Sequence, residues 1–264
     1  MTDLPSAPSL TIEERGPVLR VTLNRPDRRN ALDSATVQAL AELAAVLPGR
    51  RDLRVLVLSG AGDKAFSAGA DLKEREGMSP EQVRTFLNTI RSAFRRLELA
   101  PQAVVGAANG LALGGGLELL LACDIRLAAA TAEFGLPETS LAIIPGAGGT
   151  QRLSRVVGLS RALDWTLTAR RVSAEEALAA GLVSRVLPPA SIQEEALHLA
   201  ETIASNGPVA VAQAKQAVRR GFELPLEEGF ALEGKAYEAV IPTRDRLEAL
   251  AAFREKRRPV FRGE

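Results

Sequence analysis

The most constraining feature of the sequence is the stretch from Ala103 to Asp124, which reads AVVGAANGLALGGGLELLLACD. Its first residues have the pattern of a buried strand, and Asn109-Gly110 is typical of a turn. A run of three glycines then precedes a very apolar helix. No Lys, Arg or His occurs between Ala103 and Cys123. Both predicted elements must therefore lie inside the fold, and the rest of the chain has to cover them.

One carboxylate, Glu118, lies in the middle of this predicted helix with leucines on both sides. A carboxylate in apolar surroundings costs free energy unless it is paired or protonated. Either a distant group pairs with Glu118, or its perturbed pKa serves chemistry. The glycines Gly114 to Gly116 are compatible with close packing of the helix start. They are equally compatible with backbone N–H groups that face a developing negative charge.

Glu138, which follows a Gly-Leu-Pro turn, is a second acid with apolar neighbours. Two carboxylates held apart can divide the roles of general acid and general base between them. The structural alternative is an ion pair of these acids with Arg126 or Arg152. Both glutamates flank glycine-rich segments, which favours the catalytic interpretation.

The order of the predicted elements favours an α/β fold with crossover connections. Strand patterns occur at residues 10–14, 18–24, 54–58 and 125–129, in addition to the strand that begins at Ala103, and helical patterns intervene. Residues 59–72 are predicted to form a loop, so Gly60 to Ala65 does not fit a dinucleotide-binding turn, which must open a helix at once. Helical patterns dominate after Thr150. We predict an α/β core over residues 1–200 and a helical C-terminal region over residues 201–264.

Composition excludes several classes of protein. Among 264 residues the net charge is +1, so bulk charge favours neither nucleic acid nor a membrane surface. The single cysteine, Cys123, excludes an intramolecular disulfide, and one Cys with one His argues against a Cys/His zinc site. Charges interrupt every apolar run before it reaches the length of a membrane span, and the N-terminus has no signal-peptide pattern. A cytoplasmic location is predicted.

Four motifs occur in order along the chain: Asn24 to Leu32 (NRPDRRNAL), Phe66 to Lys73 (FSAGADLK), Asn109 to Glu118 (NGLALGGGLE) and Pro145 to Leu153 (PGAGGTQRL). Together they resemble the enoyl-CoA hydratase/isomerase (crotonase) family, and the resemblance runs from about Leu10 to the C-terminus. It implies a fold of repeated ββα units with a C-terminal helical trimerisation region. It also implies a homo-oligomer, either a trimer or a dimer of trimers.

The resemblance assigns roles to particular residues. It implies that the backbone N–H groups of Ala70 and Gly115 form an oxyanion hole for the thioester oxygen, and that Glu118 and Glu138 are the two catalytic glutamates of a hydratase. Contacts with the CoA thioester are implied for Arg28, Arg29, Ala68, Gly69, Asp71, Leu72, Lys73, Gly114, Pro137 and Gly146, and, from a neighbouring subunit, for Phe253 and Lys256. Because CoA is part of the substrate, the resemblance implies no separate cofactor and no metal.

The implied activity is the addition of water to an enoyl-CoA, in which two N–H donors stabilise the enolate-like oxygen. Isomerases of the family often keep only the acid that corresponds to Glu138, so the presence of Glu118 as well favours hydration. A double-bond isomerase remains the alternative within the same fold. The residues alone do not decide which glutamate is the acid and which is the base.

A narrower resemblance concerns the substrate. Asp71 to Arg75, Leu141 to Gly146 and Ile241 to Leu247 look most like the corresponding segments of methylglutaconyl-CoA hydratases of leucine breakdown. A short-chain enoyl-CoA is the other candidate substrate. One member of that group binds AU-rich RNA and has a lysine-rich first helix. Here the helix from Ala35 to Val46 has no Lys or Arg, so the charge needed to neutralise phosphates is missing, which argues against RNA binding. An RNA-binding protein stays the alternative from a different class of function.

Overall fold

The computed structural model describes residues 4–264. Its strands are β1 (Leu10–Arg15), β2 (Val18–Leu23), β3 (Val55–Gly60), β4 (Ala65–Ser67), β5 (Ala103–Ala108), β6 (Leu111–Leu113), β7 (Ile125–Ala129), β8 (Glu133–Gly135), β9 (Val172–Ser173) and β10 (Arg185–Leu187). Its helices are α1 (Ser34–Val46), α2 (Leu72–Glu76), α3 (Pro80–Leu99), α4 (Gly115–Ala122), α5 (Gly149–Val157), α6 (Leu159–Thr168), α7 (Ala174–Ala179), α8 (Ile192–Ala204), α9 (Pro208–Gly221), α10 (Leu226–Glu238) and α11 (Arg244–Glu255).

The strands form two sheets. The larger sheet has the order β1-β2-β3-β5-β7-β10, and the smaller one has the order β4-β6-β8-β9. In the larger sheet only the β1–β2 pair is antiparallel. In the smaller sheet β4, β6 and β8 run parallel, and β9 is antiparallel to β8. Parallel strands need crossover connections, which the chain supplies by alternating between the two sheets.

The chain repeats a unit of two strands and a helix. In the units that begin with β3, β5 and β7, the first strand joins the larger sheet, the second joins the smaller sheet, and a helix follows. This arrangement confirms the α/β class and the repeated ββα fold. It also places the second strand of each unit beside the second strands of the neighbouring units.

The prediction of a loop over residues 59–72 is wrong in its central part, because β4 lies at Ala65–Ser67 and is completely buried. The partner strands β6 and β8 were likewise not predicted as strands. Each of these strands has three residues, which is too short to show the alternation that identifies a strand in sequence. The smaller sheet is therefore a feature that only the three-dimensional structure reveals.

Helix starts follow the local sequence closely. The side chain of Asp33 caps α1 by accepting a hydrogen bond from the Thr36 N–H, and Ser79 and Gln82 form a capping box at the start of α3. All eight residues of α4 are buried, Glu118 included. The most constraining stretch of the sequence thus forms β5, β6 and α4 at the centre of the molecule.

The C-terminal region is helical, as predicted. Helix α8 packs against the larger sheet, whereas α9 and α10 pack mainly on each other. Large apolar side chains on α9 to α11 are exposed, among them Val218, Phe230, Tyr237, Leu247, Leu250 and Phe253. The division of the chain into domains at residue 200 stays a prediction. No helix in residues 4–264 is both long and apolar enough to cross a membrane, and the cytoplasmic location also stays a prediction.

Candidate active site

The carboxyl ends of three parallel strands assemble the candidate site. Residues 68–71 follow β4, Gly114 follows β6, and Glu138 lies three residues after β8. Because β4, β6 and β8 are parallel neighbours, these segments meet at one edge of the smaller sheet. They line a cavity of about 720 Å³, which α3 and the loop of residues 143–148 complete. A cavity of this size can hold a small molecule or the acyl part of a larger one.

Two backbone N–H groups at the cavity have no hydrogen-bond acceptor in residues 4–264. Gly115 is the first residue of α4, and the Glu118 N–H makes the first bond of that helix to the Gly114 oxygen. On the other wall, Gly69 O and Asp71 N–H bond to the backbone of Leu32, which leaves the Ala70 N–H free. The Ala70 nitrogen lies 3.6 Å from the position that a Cβ on Gly115 would occupy. The two donors therefore lie close together and can serve one anionic oxygen.

The glycine run before Glu118 combines the two roles that the sequence left open. Gly116 serves packing, because a Cβ there would lie 2.2 Å from the Ser67 oxygen. Gly114 has a φ of +51°, which side-chain-bearing residues rarely adopt, and a Cβ there would lie 3.0 Å from Glu138 Oε1. Gly116 therefore allows close packing against β4, whereas Gly114 and Gly115 leave the start of α4 without side-chain cover.

Glu118 is bound by backbone rather than by a cation. Its Oε1 accepts hydrogen bonds of 2.7 Å from the N–H groups of Ala147 and Gly149, where α5 begins. Burial raises the pKa of Glu118, while these two bonds and the charges of Arg152 and Arg91 lower it. The net result is a pKa above the ordinary value, although the two hydrogen bonds stabilise the ionised form on one oxygen and limit the rise.

The alternative of an ion pair with Arg126 or Arg152 is wrong. Arg152 pairs with Glu98 at 2.8 Å, and Arg126 donates to the backbone oxygens of Leu182 and Cys123. Neither guanidinium bonds to Glu118, whose charge is instead balanced through the backbone.

Glu138 has a contrasting environment. Its Oε2 is buried and has no hydrogen-bond partner in residues 4–264. Burial, and next the charge of Glu118, raise the pKa of Glu138 to about 7. A carboxyl group of this kind carries a proton for much of the time near neutral pH, so it can donate one. The site therefore holds one carboxylate suited to accept a proton and one carboxyl group suited to give one.

Comparison with known proteins agrees with this geometry. Residues 13–264 match the family described as Enoyl-CoA hydratase/isomerase. The chain belongs to this family. It is 49% identical to an enoyl-CoA hydratase from Bacillus anthracis, whose crystal structure superimposes with a TM-score of 0.95 over 97% of this chain and 100% of that one.

Two relatives with more specific names are similarly close. The chain is 42% identical to the short-chain-enoyl-CoA hydratase of Clostridium acetobutylicum over 250 residues, which are 95% of this chain and 96% of the relative. It is 43% identical to the mitochondrial methylglutaconyl-CoA hydratase of Homo sapiens over 256 residues, which are 96% of this chain and 76% of the relative. Membership of the enoyl-CoA hydratase/isomerase family therefore does not select between these two substrate classes.

The structure brings many of the implied site residues of this family member together. Beside Glu118, Glu138, Ala70 and Gly115, the cavity is lined by Ala68, Gly69, Leu72, Gly114, Pro137 and Gly146. Outside its lining lie Arg28, Arg29, Asp71, Lys73, Phe253 and Lys256. The Asp71 carboxylate accepts hydrogen bonds from Arg25 and from the backbone of α2, so it holds the loop that carries Ala70. Contacts of all these residues with CoA stay predictions, whether or not the residues line the cavity.

Sequence reasoning missed three cations that shape the site. Arg25 bridges Asp33 and Asp71 at 3.2 and 3.0 Å and thereby ties the start of α1 to the oxyanion loop. Arg75 and Arg91 line the cavity itself. Neither has an acidic partner in the described part of the chain. Arg75 ends a segment that carries the narrower family resemblance, but nothing in the sequence places Arg75 or Arg91 at the cavity.

Proposed function

We propose that this family member is an enoyl-CoA hydratase, which adds water reversibly across the α,β double bond of an enoyl-CoA thioester. The observation that carries the proposal is the pair of unlike carboxyl groups, Glu118 and Glu138, beside two free backbone donors. An isomerase moves a proton between two carbons and needs one such group, whereas hydration needs a proton taken from water and another delivered to carbon.

The roles follow from the environments of the groups. The thioester oxygen accepts hydrogen bonds from the N–H groups of Ala70 and Gly115, which stabilise the enolate charge as water attacks the β-carbon. Glu118 takes a proton from that water, and Glu138 gives its proton to the α-carbon. Each turnover leaves Glu118 protonated and Glu138 ionised, so proton exchange between them or with solvent restores the starting state.

The test is a Glu118→Gln variant assayed for both reactions. We expect hydration of crotonyl-CoA to slow by about 10²- to 10⁴-fold, because Gln cannot take the proton from water. CoA thioesters should still bind, since Glu118 is not a binding group. The control is Glu201→Gln, an exposed glutamate on α8. Hydration by Glu118→Gln at the wild-type rate would exclude Glu118 as the base. Isomerase activity in both the wild type and Glu118→Gln, without hydration in either, would exclude the hydratase.

For the substrate we propose 3-methylglutaconyl-CoA, with a short-chain enoyl-CoA as the competing candidate. Both candidates fit a cavity with apolar side chains from α3 and from the loop around Ile144. The carboxylate of the methylglutaconyl group would in addition meet the half-buried Arg75, which lies over the Phe86 ring at 5.9 Å. A charge-assisted hydrogen bond of this kind stabilises binding more than a neutral one does.

The ratio of kcat/KM for 3-methylglutaconyl-CoA to kcat/KM for crotonyl-CoA decides between the candidates. We expect a ratio above one in the wild type, and a ratio lowered by about tenfold in Arg75→Gln, the equivalent of roughly 1.4 kcal/mol. Arg84→Gln, which removes an exposed arginine on α3, should leave the ratio unchanged. A wild-type ratio well below one would favour the short-chain substrate.

The homo-oligomer belongs to the same proposal. The exposed apolar side chains of α9 to α11 support it, because an apolar surface of this kind is commonly an interface in proteins. Phe253, with 85% of its surface exposed, is the most open of them. Light scattering should give a mass three or six times 28.0 kDa. A monomeric mass would contradict this part of the proposal.

A further inference from the structure

The loop that donates hydrogen bonds to Glu118 is in turn bound by a side chain of α3. Residues 145–148 connect the turn after Glu138 to α5, and the N–H groups of Ala147 and Gly149 converge on Glu118 Oε1. Glu118 Oε2 accepts no hydrogen bond within residues 4–264. This arrangement leaves Glu118 Oε2 free to accept a proton from water. It depends on the position of residues 145–149, whose N–H groups orient the carboxylate.

One peptide group of this loop connects Glu118 to an arginine on α3. The carbonyl of Gly146 and the N–H of Ala147 belong to the same planar unit. The Gly146 oxygen accepts hydrogen bonds from Arg91 Nε at 3.2 Å and from Arg91 Nη2 at 3.0 Å. The N–H at the other end of the unit donates to Glu118. A cation on the oxygen polarises the peptide and strengthens the bond that its N–H makes.

We propose that Arg91 is a positioning residue that acts through the Gly146–Ala147 peptide to align the Glu118 carboxylate. This inference rests on the proposed hydratase, in which Glu118 is the base. Arg91 does not touch Glu118. It acts through one peptide group and through the field of its charge.

The packing of α3 does not require the Arg91 side chain. The helix is anchored by its buried residues Phe86, Ile90, Ala93, Phe94 and Leu97, while Arg91 is exposed. The guanidinium has no acidic partner in the described chain, and its hydrogen bonds go only to the Gly146 oxygen. Its contacts are therefore directed at the loop rather than at the fold of its own helix.

A second arginine supports the same loop from within. Arg152 donates to the Ala147 oxygen at 2.9 Å, and its other end pairs with Glu98. Glu98 also accepts from Arg95 and Arg219, so the anchor is an ionic network centred on the buried Glu98. Removal of one member of such a network is strongly destabilising, which makes Arg91 the better residue for an experiment.

The charged groups around Glu118 define the expected pH effect. Arg91 on α3 and Arg152 on α5 are the cations, and Glu138 is the nearby acid. Burial raises the pKa of Glu118, and the field of Arg91 opposes that rise. Loss of the Arg91 charge should therefore move the pKa of Glu118 upward, so that the base ionises only at higher pH.

The kinetic test compares Arg91→Gln, Arg91→Lys and Arg84→Gln. In Arg91→Gln we expect kcat for hydration to fall by roughly 10- to 100-fold, because a displaced base loses its alignment. KM should change by less than about threefold, and the acidic limb of the kcat/KM profile should move to higher pH. Arg91→Lys should recover part of the loss, since it retains the charge. Arg84→Gln, on the same helix but without a side-chain hydrogen bond in the described chain, should behave as wild type.

Infrared titration provides a readout that is independent of activity. The carboxyl band of Glu118 is isolated by subtracting the spectrum of the corresponding Glu118→Gln protein. Its midpoint should lie at higher pH in Arg91→Gln than in wild type or Arg84→Gln. An unchanged midpoint with an unchanged kinetic profile would overturn the role of Arg91 while leaving the hydratase intact. A shifted midpoint in a protein that hydrates no enoyl-CoA would instead uphold the positioning and reject the proposed function.

Discussion

Glu118 and Glu138 line the same cavity, yet the chain surrounds them in opposite ways. Burial raises the pKa of Glu118, but two backbone hydrogen bonds and the field of two arginines stabilise its ionised form and oppose that rise. Glu138 has a buried oxygen without a partner and faces the negative charge of Glu118. Two identical side chains thus acquire different proton affinities from their surroundings, which is what separate acid and base roles require.

The difference has a structural origin. Glu118 lies on a helix in the core and meets the start of α5, where backbone donors are available. Glu138 lies in a short turn at Pro137–Leu141, where its carboxyl group projects towards Gly114 and no donor faces its Oε2. The strand ends of the smaller sheet place both acids at one cavity, and the segments that follow decide what each acid meets.

Among the substitutions that test the contrast between Glu118 and Glu138, Glu138→Gln should lower activity most. Gln resembles a protonated glutamate in shape but cannot deliver a proton to carbon, so kcat for hydration should fall by about 10²- to 10⁴-fold. Stopped-flow measurement of crotonyl-CoA hydration checks this. Substantial hydration by Glu138→Gln would mean that Glu138 is not the proton donor.

A substitution at Gly114 should have a smaller effect. An alanine there would be strained at a φ of +51° and would press on Glu138 Oε1, so we expect kcat to fall by roughly 10- to 100-fold as the acid is displaced. The matched control is Gly158→Ala, which has a φ of +83° and nothing within 4 Å of the added Cβ. Both variants should lose stability, but only Gly114→Ala should lose activity at a temperature where both are folded. Equal activities would show that Gly114 does not place Glu138.

A still smaller effect concerns stability. The pKa of Glu138 is raised to about 7, so the native state holds this proton more tightly than the unfolded state, and stability is lost as pH rises from about 4.5 to about 7. Glu138→Gln cannot ionise and should exceed the wild type by about 2 kcal/mol in free energy of unfolding at pH 8, with little difference at pH 4.5. Urea unfolding at the two pH values measures this. Parallel pH dependences of the two proteins would contradict the raised pKa.

Sequence reasoning identified the acids and the glycine run, but not what surrounds them. The apolar context of Glu118 predicted either a distant partner, for which Arg126 and Arg152 were the candidates, or a perturbed pKa that serves chemistry. The actual partners are the N–H groups of Ala147 and Gly149, which carry no side-chain signal. Backbone donors of this kind depend on where a loop runs, and the course of a loop cannot be read from residue types.

The same limit applies to the fold. The capping residue and the apolar periodicity of residues 79–97 indicate the long helix α3, and apolar patterns indicate five of the six strands of the larger sheet. The three-residue strands of the smaller sheet do not, although they bring Ala70, Gly115 and Glu138 to one edge. Four motifs and their resemblance to a known family supplied the expectation that these segments meet, which local patterns alone could not supply.

The most direct test of the account is the titration of Glu138 itself, followed by ¹³C NMR of glutamate carboxyl carbons and assigned by comparison with Glu138→Gln. We expect a midpoint near pH 7 in the wild type. We also expect Glu118→Gln to lower this midpoint, because the neighbouring negative charge is gone. A Glu138 that titrates near its ordinary value of 4.5 and does not respond to Glu118→Gln would contradict the division of acid and base between the two glutamates.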